Sequence, residues 1–224
     1  MPDRALHLLP PTPLFSLRTG RIAPLGDEGL SSAIRKQPLS SLATLTALGL
    51  TGDEQADRQH HGGPDKALHL YPMEHYAAWC AELPTQAAWF VAGGFGENLS
   101  TSGLNENNVC LGDIFCLGSA VIQVSQGRSP CSKLALVFAV PDMAQRVKAS
   151  VRTGWYYRVL TAGEVTPESE LTLVERPCPA WSVNRLFRTL FHDAVDIAAL
   201  TALARVPELS ENWRARAVRR LDVR

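Results

Sequence analysis

The chain has 224 residues, of which 46% are hydrophobic and 20% charged, and its 22 basic side chains balance 22 acidic ones. A net charge of zero argues against a partner that is a nucleic-acid polymer or an anionic membrane, because both require a basic surface. No apolar run is long enough to span a membrane, and Pro10-Pro11 interrupts the start of the chain too early for a signal peptide. Five cysteines without a CxxC pair favour a reducing cytosol over a disulfide framework, so we expect a cytoplasmic protein.

The first half of the chain alternates short β-prone runs with glycine-rich loops. Strands are predicted at residues 15–22 and 67–71, whereas residues 40–50 fit either a strand or a short helix. Residues 52–65 are polar and glycine-rich and are predicted to form a long loop, a kind of segment that is usually functional or disordered. Pro72 suits the first turn of a helix. That helix would carry apolar residues at helical spacing: Tyr76, Trp79, Cys80 and Leu83.

The middle of the chain reads as further short strands. The glycine-dense turn at residues 93–99 leads into one of them, and a hairpin is predicted from residues 109–117 and 120–125. Asp142 is placed to cap a helix, after which the last strands of this part are expected. They are residues 155–160 and 171–175. Many short strands with glycine turns are typical of a mainly β, barrel-like domain, here with inserted helices.

After Pro177 and Pro179 the pattern changes from strands to helices. Ser182, Asp193 and Ser210 are each placed to cap a helix with apolar residues at helical spacing. Three short helices would be marginal alone, so we expect them to pack on the preceding domain. The sequence therefore predicts two domains, residues 1–176 with a core at about 30–165, and a three-helix bundle at residues 177–224.

Residues 126–133, QGRSPCSK, follow a β-prone run and are the first candidate site. Cys131 lies on the predicted loop between Arg128 and Lys133, and nearby positive charge favours a thiolate, which is both nucleophile and metal ligand. The plain alternative is a small apolar side chain at the start of the apolar run 134–140. The octapeptide by itself does not separate the two interpretations.

Residues 60–66, HHGGPDK, form the second candidate site. The glycines let the backbone approach a ligand, Lys66 offers a charge for a phosphate or carboxylate, and His61 is a possible donor or base. A solvated turn is the commoner interpretation of two adjacent histidines in a loop. A zinc site is not predicted, because His61, His69 and His75 do not fit HExxH and no CxxC accompanies them.

Four stretches, taken in order, resemble the MOSC domain family. They are HGGPDKA at residues 61–67, FGENL at 95–99, LGD at 111–113, and RSPC followed by a lysine at 128–133. The resemblance is closest to the bacterial YiiM-type proteins that detoxify N-hydroxylaminopurine. The three-helix tail is similar to the C-terminal domain of that subfamily, so the resemblance covers most of the chain. It implies a β-barrel-like fold, in agreement with the pattern of strands.

The resemblance also implies the molybdenum cofactor (molybdopterin), a pterin dithiolene that bears a phosphate. Cys131 stands where the family has the cysteine ligand of the metal, and soft thiolates suit soft metal centres. His61 is carried over as a candidate proton donor, in a reaction that consumes protons. The remaining candidates would bind the phosphate and the pterin. They are Lys66, Gly96, Asn98, Arg128 and Lys133.

The implied activity is reduction of N-hydroxylated bases and amidoximes to amines, with electrons from a separate flavoprotein reductase. One alternative is a carrier, in which Cys131 takes up sulfur as a persulfide, or the cofactor itself, and hands it on. Another is a binding module in which the thiol is incidental. The tail is expected to serve docking or formation of a homodimer, since the candidate catalytic motifs all precede it.

Overall fold

A computed structural model describes residues 9–27, 29–57, 62–192 and 194–222. Within these ranges the chain forms a sheet-rich fold with several helices. The strands are β1 (Thr12–Pro13), β2 (Ser16–Thr19), β3 (Ala23–Leu25), β4 (Leu30–Ser32), β5 (Gln37–Pro38), β6 (Ala43–Thr46), β7 (Gly49–Leu50), β8 (Leu68–Pro72), β9 (Leu99–Thr101), β10 (Ile114–Leu117), β11 (Ala120–Gly127), β12 (Trp155–Thr161), β13 (Gly163–Val165) and β14 (Glu170–Glu175). The helices are α1 (Glu74–Glu82), α2 (Lys133–Phe138), α3 (Met143–Ser150), α4 (Val183–Phe191), α5 (Ile197–Ala204) and α6 (Glu211–Asp222), with 3-10 turns at Pro64–Lys66 and Pro84–Trp89.

Nine of the described strands form one sheet, in the order β1-β14-β10-β11-β12-β8-β9-β2-β5. Neighbours are antiparallel except β8 and β9, which run parallel with Leu70 opposite Leu99. Within the described ranges no pairing joins β1 to β5, so a closed barrel is not found. Both of these edge strands are only two residues long, and short edges limit further pairing. The prediction of a mainly β, barrel-like fold is therefore corrected: the fold is mixed, with one large open sheet.

Two apolar clusters hold in place the segments that line the candidate functional site. One lies against the large sheet and includes Ile122 and Val124, alternate residues of β11 that are completely buried. The other is aromatic and centres on Phe95, whose ring stacks on that of Tyr71 with 4.1 Å between centroids. The ring of Phe138, at the end of α2, lies 4.8 Å from Phe95 on another side. The glycine-rich loop is therefore anchored between β8 and α2.

Several local predictions are confirmed, and others need correction. Residues 40–50 form the β6–β7 hairpin, which settles the open choice in favour of strands. Pro72 is the last residue of β8, opposite Thr101, and the helix begins two residues later at Glu74. Of residues 109–117 only Ile114–Leu117 is a strand, because Asp113 accepts from the backbone N–H of Cys110 at 2.9 Å and closes a turn there.

The tail forms three helices, as the capping residues predict. Ser182 Oγ accepts from the N–H of Arg185 at 3.2 Å, and Ser210 Oγ accepts from the N–H of Trp213 at 3.4 Å. Asp193 lies outside the described residues, and Asp196 is the residue that caps α5. Since these helices share their apolar cluster with the preceding part of the chain, a self-contained bundle is not shown. The division into two domains at residue 176 stays a prediction.

The helices that the structure describes include none with the length and apolar character needed to cross a membrane.

Candidate functional site

A cleft beside the end of β11 brings together six of the seven residues that the sequence singles out. They are Lys66, Gly96, Asn98, Arg128, Cys131 and Lys133. The seventh, His61, lies outside the described residues. The cavity measures about 90 Å³ and continues into an open mouth, so a ligand would lie across the cleft with one side towards solvent. The loop predicted after Gly52 supplies one wall, residues 53–57.

Cys131 lies on the short connection between β11 and α2. Its side chain is half-buried and lines the cleft, which makes it accessible to a ligand. The first residue of α2, Lys133, lines the cleft too, and its Nζ donates to the carbonyl oxygen of Ser31 at 3.0 Å. This bond fixes the β3–β4 hairpin against the cysteine loop. Cys131 and Lys133 therefore line the same cleft, beside the β3–β4 hairpin.

Arg128 is 4% exposed and has a guanidinium group that the protein only partly satisfies. Its backbone N–H donates to Gly154 at 3.0 Å, and its Nη2 donates to the carbonyl oxygen of Phe95 at 3.3 Å. Its Nη1 is buried and has no hydrogen-bond partner among the described residues. A buried donor without an acceptor is costly, more so when it is charged. This donor fits an anionic ligand such as a phosphate, with which arginine forms strong charge-assisted bonds.

Gly96 sits where a side chain cannot be accommodated. Its φ is +76°, and an added Cβ would come within 2.7 Å of Ile34 Cγ1. The loop around it is held by the buried carboxylate of Glu97, which accepts from the N–H groups of Gly93 at 2.5 Å and Phe95 at 3.0 Å. The glycine-rich loop is thus a fixed wall of the cleft.

Asn98 lines the cleft, but its side-chain amide already makes hydrogen bonds within the protein. The side-chain oxygen accepts from the N–H of His69 at 3.1 Å. Its Nδ2 donates to the carbonyl oxygen of Arg18 at 3.1 Å and to Asp53 Oδ2 at 2.9 Å. Both amide hydrogens are therefore used, and Asn98 holds its neighbours in place. The geometry does not support the expected hydrogen bonds from this amide to a pterin.

Lys66 follows the glycines of the second motif, at the end of the 3-10 turn Pro64–Lys66. It is half-buried, and partial burial lowers the pKa of its ammonium group, which the carboxylates of Asp65 and Asp57 partly offset. A further negative group, such as a phosphate, would favour the charged form. Within the described ranges no three His, Cys, Asp or Glu side chains could jointly hold a metal ion.

Two further cleft residues, Lys36 and Asp53, were not predicted. Lys36 Nζ pairs with Asp53 Oδ1, and both side chains are almost buried, with exposures of 8% and 2%. Burial lowers the pKa of Lys36, and the Asp53 carboxylate offsets part of that effect. The rarity of lysine is the feature of the sequence that relates to this pair: the chain has four lysines against eighteen arginines. Three of the four lysines line this cleft.

The cleft also contains His69 and Tyr156, which face each other across β8 and β12. Their rings lie 5.1 Å apart. Burial holds the pKa of His69 well below its ordinary range, and the charges of Arg128 and Lys36 lower it further. Burial also raises the pKa of Tyr156. At neutral pH both side chains are uncharged, so the cleft combines a neutral polar region with cationic walls.

The sequence matches the MOSC domain over residues 57–172 and the YiiM-like, 3-alpha helix domain over residues 181–224. Protein YiiM of Escherichia coli (strain K12) is 46% identical over 186 residues, 83% of this chain and 83% of that protein. A protein named Reductase from Gibberella moniliformis (strain M3125 / FGSC 7600) is 38% identical over 88% of this chain but only 36% of its own length. The crystal structure of YiiM from Escherichia coli has a TM-score of 0.81 at 39% identity, covering 96% of this chain and 94% of that one. The chain therefore belongs to the MOSC domain family and, within it, to the YiiM-like proteins.

Proposed function

We propose that this protein is a molybdenum-cofactor-dependent reductase that converts N-hydroxylated bases and amidoximes to the parent amines. One observation carries the proposal: the half-buried thiol of Cys131 lines the same cleft as Arg128, whose buried Nη1 has no acceptor among the described residues. A soft metal ligand and an unsatisfied anion donor are what a phosphorylated metal cofactor requires. The MOSC match and the fungal relative named Reductase support the same conclusion.

When bound, the cofactor supplies the two-electron chemistry of the reaction. Cys131 would hold the metal, while Arg128 and Lys66 would neutralise the phosphate. Lys133, fixed to Ser31, adds positive charge to the same wall. Gly96 lets Ile34 pack directly against the glycine-rich loop, which keeps this wall of the cleft in place.

The electron donor is proposed to be a separate flavoprotein reductase. The fungal protein named Reductase is much longer than the segment it shares with this chain, which leaves room there for an electron-supplying part. The proton-donor role of His61 and the homodimer stay predictions.

Elemental analysis combined with turnover tests the proposal. Protein from a molybdenum-replete host is expected to contain about one molybdenum per chain, because one thiolate ligand lines the cleft. It should reduce benzamidoxime to benzamidine with reduced viologen. Protein from a host that cannot make the cofactor is the control, and it should contain no molybdenum and show no turnover. Absence of both molybdenum and turnover would contradict the proposal.

The carrier alternative gives a different pattern in the same preparations. A sulfur carrier would show a persulfide on Cys131 by mass spectrometry, without turnover. A cofactor carrier would contain molybdenum, release it to an apoenzyme and leave the amidoxime unchanged.

A further inference from the structure

We infer that Lys36 is a catalytic residue, whose ammonium group donates the proton that the departing hydroxyl requires when the N–O bond of the substrate breaks. This inference rests on the proposed reductase function and assigns to it a residue outside all four sequence motifs.

Lys36 is held in the wall of the cleft by a buried ion pair. Its partner Asp53 also accepts from the N–H of Gly20 at 2.6 Å and from Asn98 Nδ2 at 2.9 Å, so the carboxylate has a fixed position. Within the described ranges Asp53 is the hydrogen-bond partner of Lys36 Nζ. An ammonium group has three donors, so the pair leaves N–H groups for a ligand in the cleft.

The charged and titratable groups around Lys36 come from four other segments. The guanidinium of Arg18 in β2 donates to the Lys36 carbonyl oxygen at 3.1 Å. The carboxylates of Asp53 and Glu97 favour the ammonium form, whereas burial disfavours it more strongly. His69 in β8 is close enough for the Lys36 charge to lower its pKa. The net result is a lysine that gives up its proton more readily than a solvated one.

Three other titratable side chains of the cleft suit this role less well. His69 is neutral at physiological pH, since its pKa lies well below the ordinary range, and has no ionised form to donate from. The raised pKa of Tyr156 makes its hydroxyl a weak acid. Lys66 is assigned to the cofactor phosphate, which would stabilise its proton.

The reaction consumes two protons and two electrons: R–NH–OH + 2 e⁻ + 2 H⁺ gives R–NH₂ + H₂O. The electrons come from the reduced flavoprotein or viologen. The N–O bond breaks, one proton forms a new N–H bond, and the other leaves with the hydroxyl as water. Lys36 supplies the latter proton, and the resulting amine remains beside Asp53 and regains a proton from solvent at the open mouth. A general acid with a lowered pKa is effective because it approaches the working pH.

Titration of the lysines tests the first requirement without cofactor or substrate. The chain has only four lysines, so ¹³C-labelled lysine gives few side-chain signals, and Lys36→Arg identifies the one from Lys36. We expect the Lys36 signal to titrate at lower pH than an ordinary lysine. A Lys36 signal that titrates in the ordinary lysine range would overturn the inference.

Turnover by Lys36→Arg tests the second requirement. Arginine keeps the charge beside Asp53 but does not release a proton in the accessible pH range. We expect unchanged molybdenum content, a kcat lowered by about 100-fold or more, and loss of the alkaline limb of the pH–kcat profile. Lys148→Arg is the matched control and should behave as wild type. A double variant, Lys36→Gln with Asp53→Asn, avoids a buried unpaired charge and should show the same loss.

The outcomes separate this inference from the proposed function. If the wild-type protein turns over and Lys36→Arg has the same kcat and pH profile, only the proposed role of Lys36 is refuted. Loss of molybdenum from Lys36→Arg would make Lys36 a binding residue and would also overturn the inference. Wild-type protein that contains molybdenum but does not turn over would refute the reductase function and, with it, this role of Lys36.

Discussion

Arg128 of the RSPC motif and Phe95 of the FGENL motif are in direct contact in the wall of the cleft: Arg128 Nη2 donates to the carbonyl oxygen of Phe95 at 3.3 Å. Phe95 is itself stacked on Tyr71, so the acceptor is rigidly placed. The other terminal nitrogen of Arg128 is thereby fixed without a partner among the described residues. The guanidinium is preorganised for a ligand, which lowers the entropic cost of binding one.

Replacing Arg128 should therefore lower cofactor occupancy. Arg128→Gln shortens the side chain and removes its charged donors, and a charge-assisted contact is worth roughly 1.5–3 kcal/mol. Binding should weaken by about ten- to a hundredfold, measured as molybdenum content after dialysis. Arg146→Gln, which removes an exposed arginine from α3, is the control. Full occupancy with lost turnover would move Arg128 to substrate binding.

Cys131→Ser should abolish both metal retention and turnover while leaving the fold intact. The residue is half-buried on a loop, so the change alters little packing, whereas a hard oxygen replaces a soft thiolate poorly. Thermal unfolding, molybdenum content and amidoxime reduction are to be measured on one preparation. Cys116→Ser, another half-buried cysteine but in β10, should retain all three properties. Retained turnover in Cys131→Ser would remove the thiol from the mechanism.

Gly96→Ala should be more destabilising than Gly103→Ala. Both glycines have positive φ, but an added Cβ meets Ile34 Cγ1 at 2.7 Å only at Gly96, whereas nothing lies within 4 Å at Gly103. The shared backbone strain costs about 1 kcal/mol or more, and the contact with Ile34 adds about 1–3 kcal/mol at Gly96. Urea unfolding of the two variants gives the difference directly. Equal losses of unfolding free energy in the two variants would show that Ile34 moves aside without cost.

The sequence could identify Cys131, Arg128 and Lys133 as a site because they are neighbours in the chain, and the structure places all three in one cleft. Lys36 and Asp53 come from separate segments that are joined only by tertiary contacts, so no local pattern reveals their ion pair. The same reason applies to the sheet. Local alternation predicts most of the strands, but whether the sheet closes depends on long-range pairing. The parallel pairing of β8 with β9 is of this kind.

The neutral state of His69 predicts a specific acid sensitivity. Its folded-state pKa lies below the ordinary value of 6.5, so the unfolded chain binds more protons there as the pH falls. The contribution of neutral His69 to the free energy of unfolding is fully present above pH 6.5. It is lost as the pH falls below 6.5, at up to about 1.4 kcal/mol per pH unit. We expect the free energy of unfolding in urea to fall less steeply between pH 6.5 and 5 for His69→Gln than for wild type. Parallel declines would contradict a neutral buried imidazole.

The tail was expected to serve docking or formation of a homodimer, yet several of its arginines are used within the tail itself. Arg214 donates to the carbonyl oxygens of Ala204 at 2.6 Å, Val206 at 2.9 Å and Leu209 at 2.9 Å, and so closes the end of α5 onto α6. Arg216 and Arg220 donate to carbonyl oxygens at the end of α4. These bonds stabilise the helices that cover the strand leading to Cys131.

Arg214→Gln should therefore act on stability. Because Arg214 is partly exposed, we expect a loss of about 2 kcal/mol, less than the sum of its bonds, and hence a Tm lower by about 4–8 °C. The measurement is thermal unfolding, with Arg219→Gln as the matched control, since Arg219 is an exposed arginine on the same helix. Turnover with reduced viologen below the transition should be unchanged in both variants. An unchanged Tm in Arg214→Gln, combined with slower turnover only when the flavoprotein is the donor, would return Arg214 to a docking role.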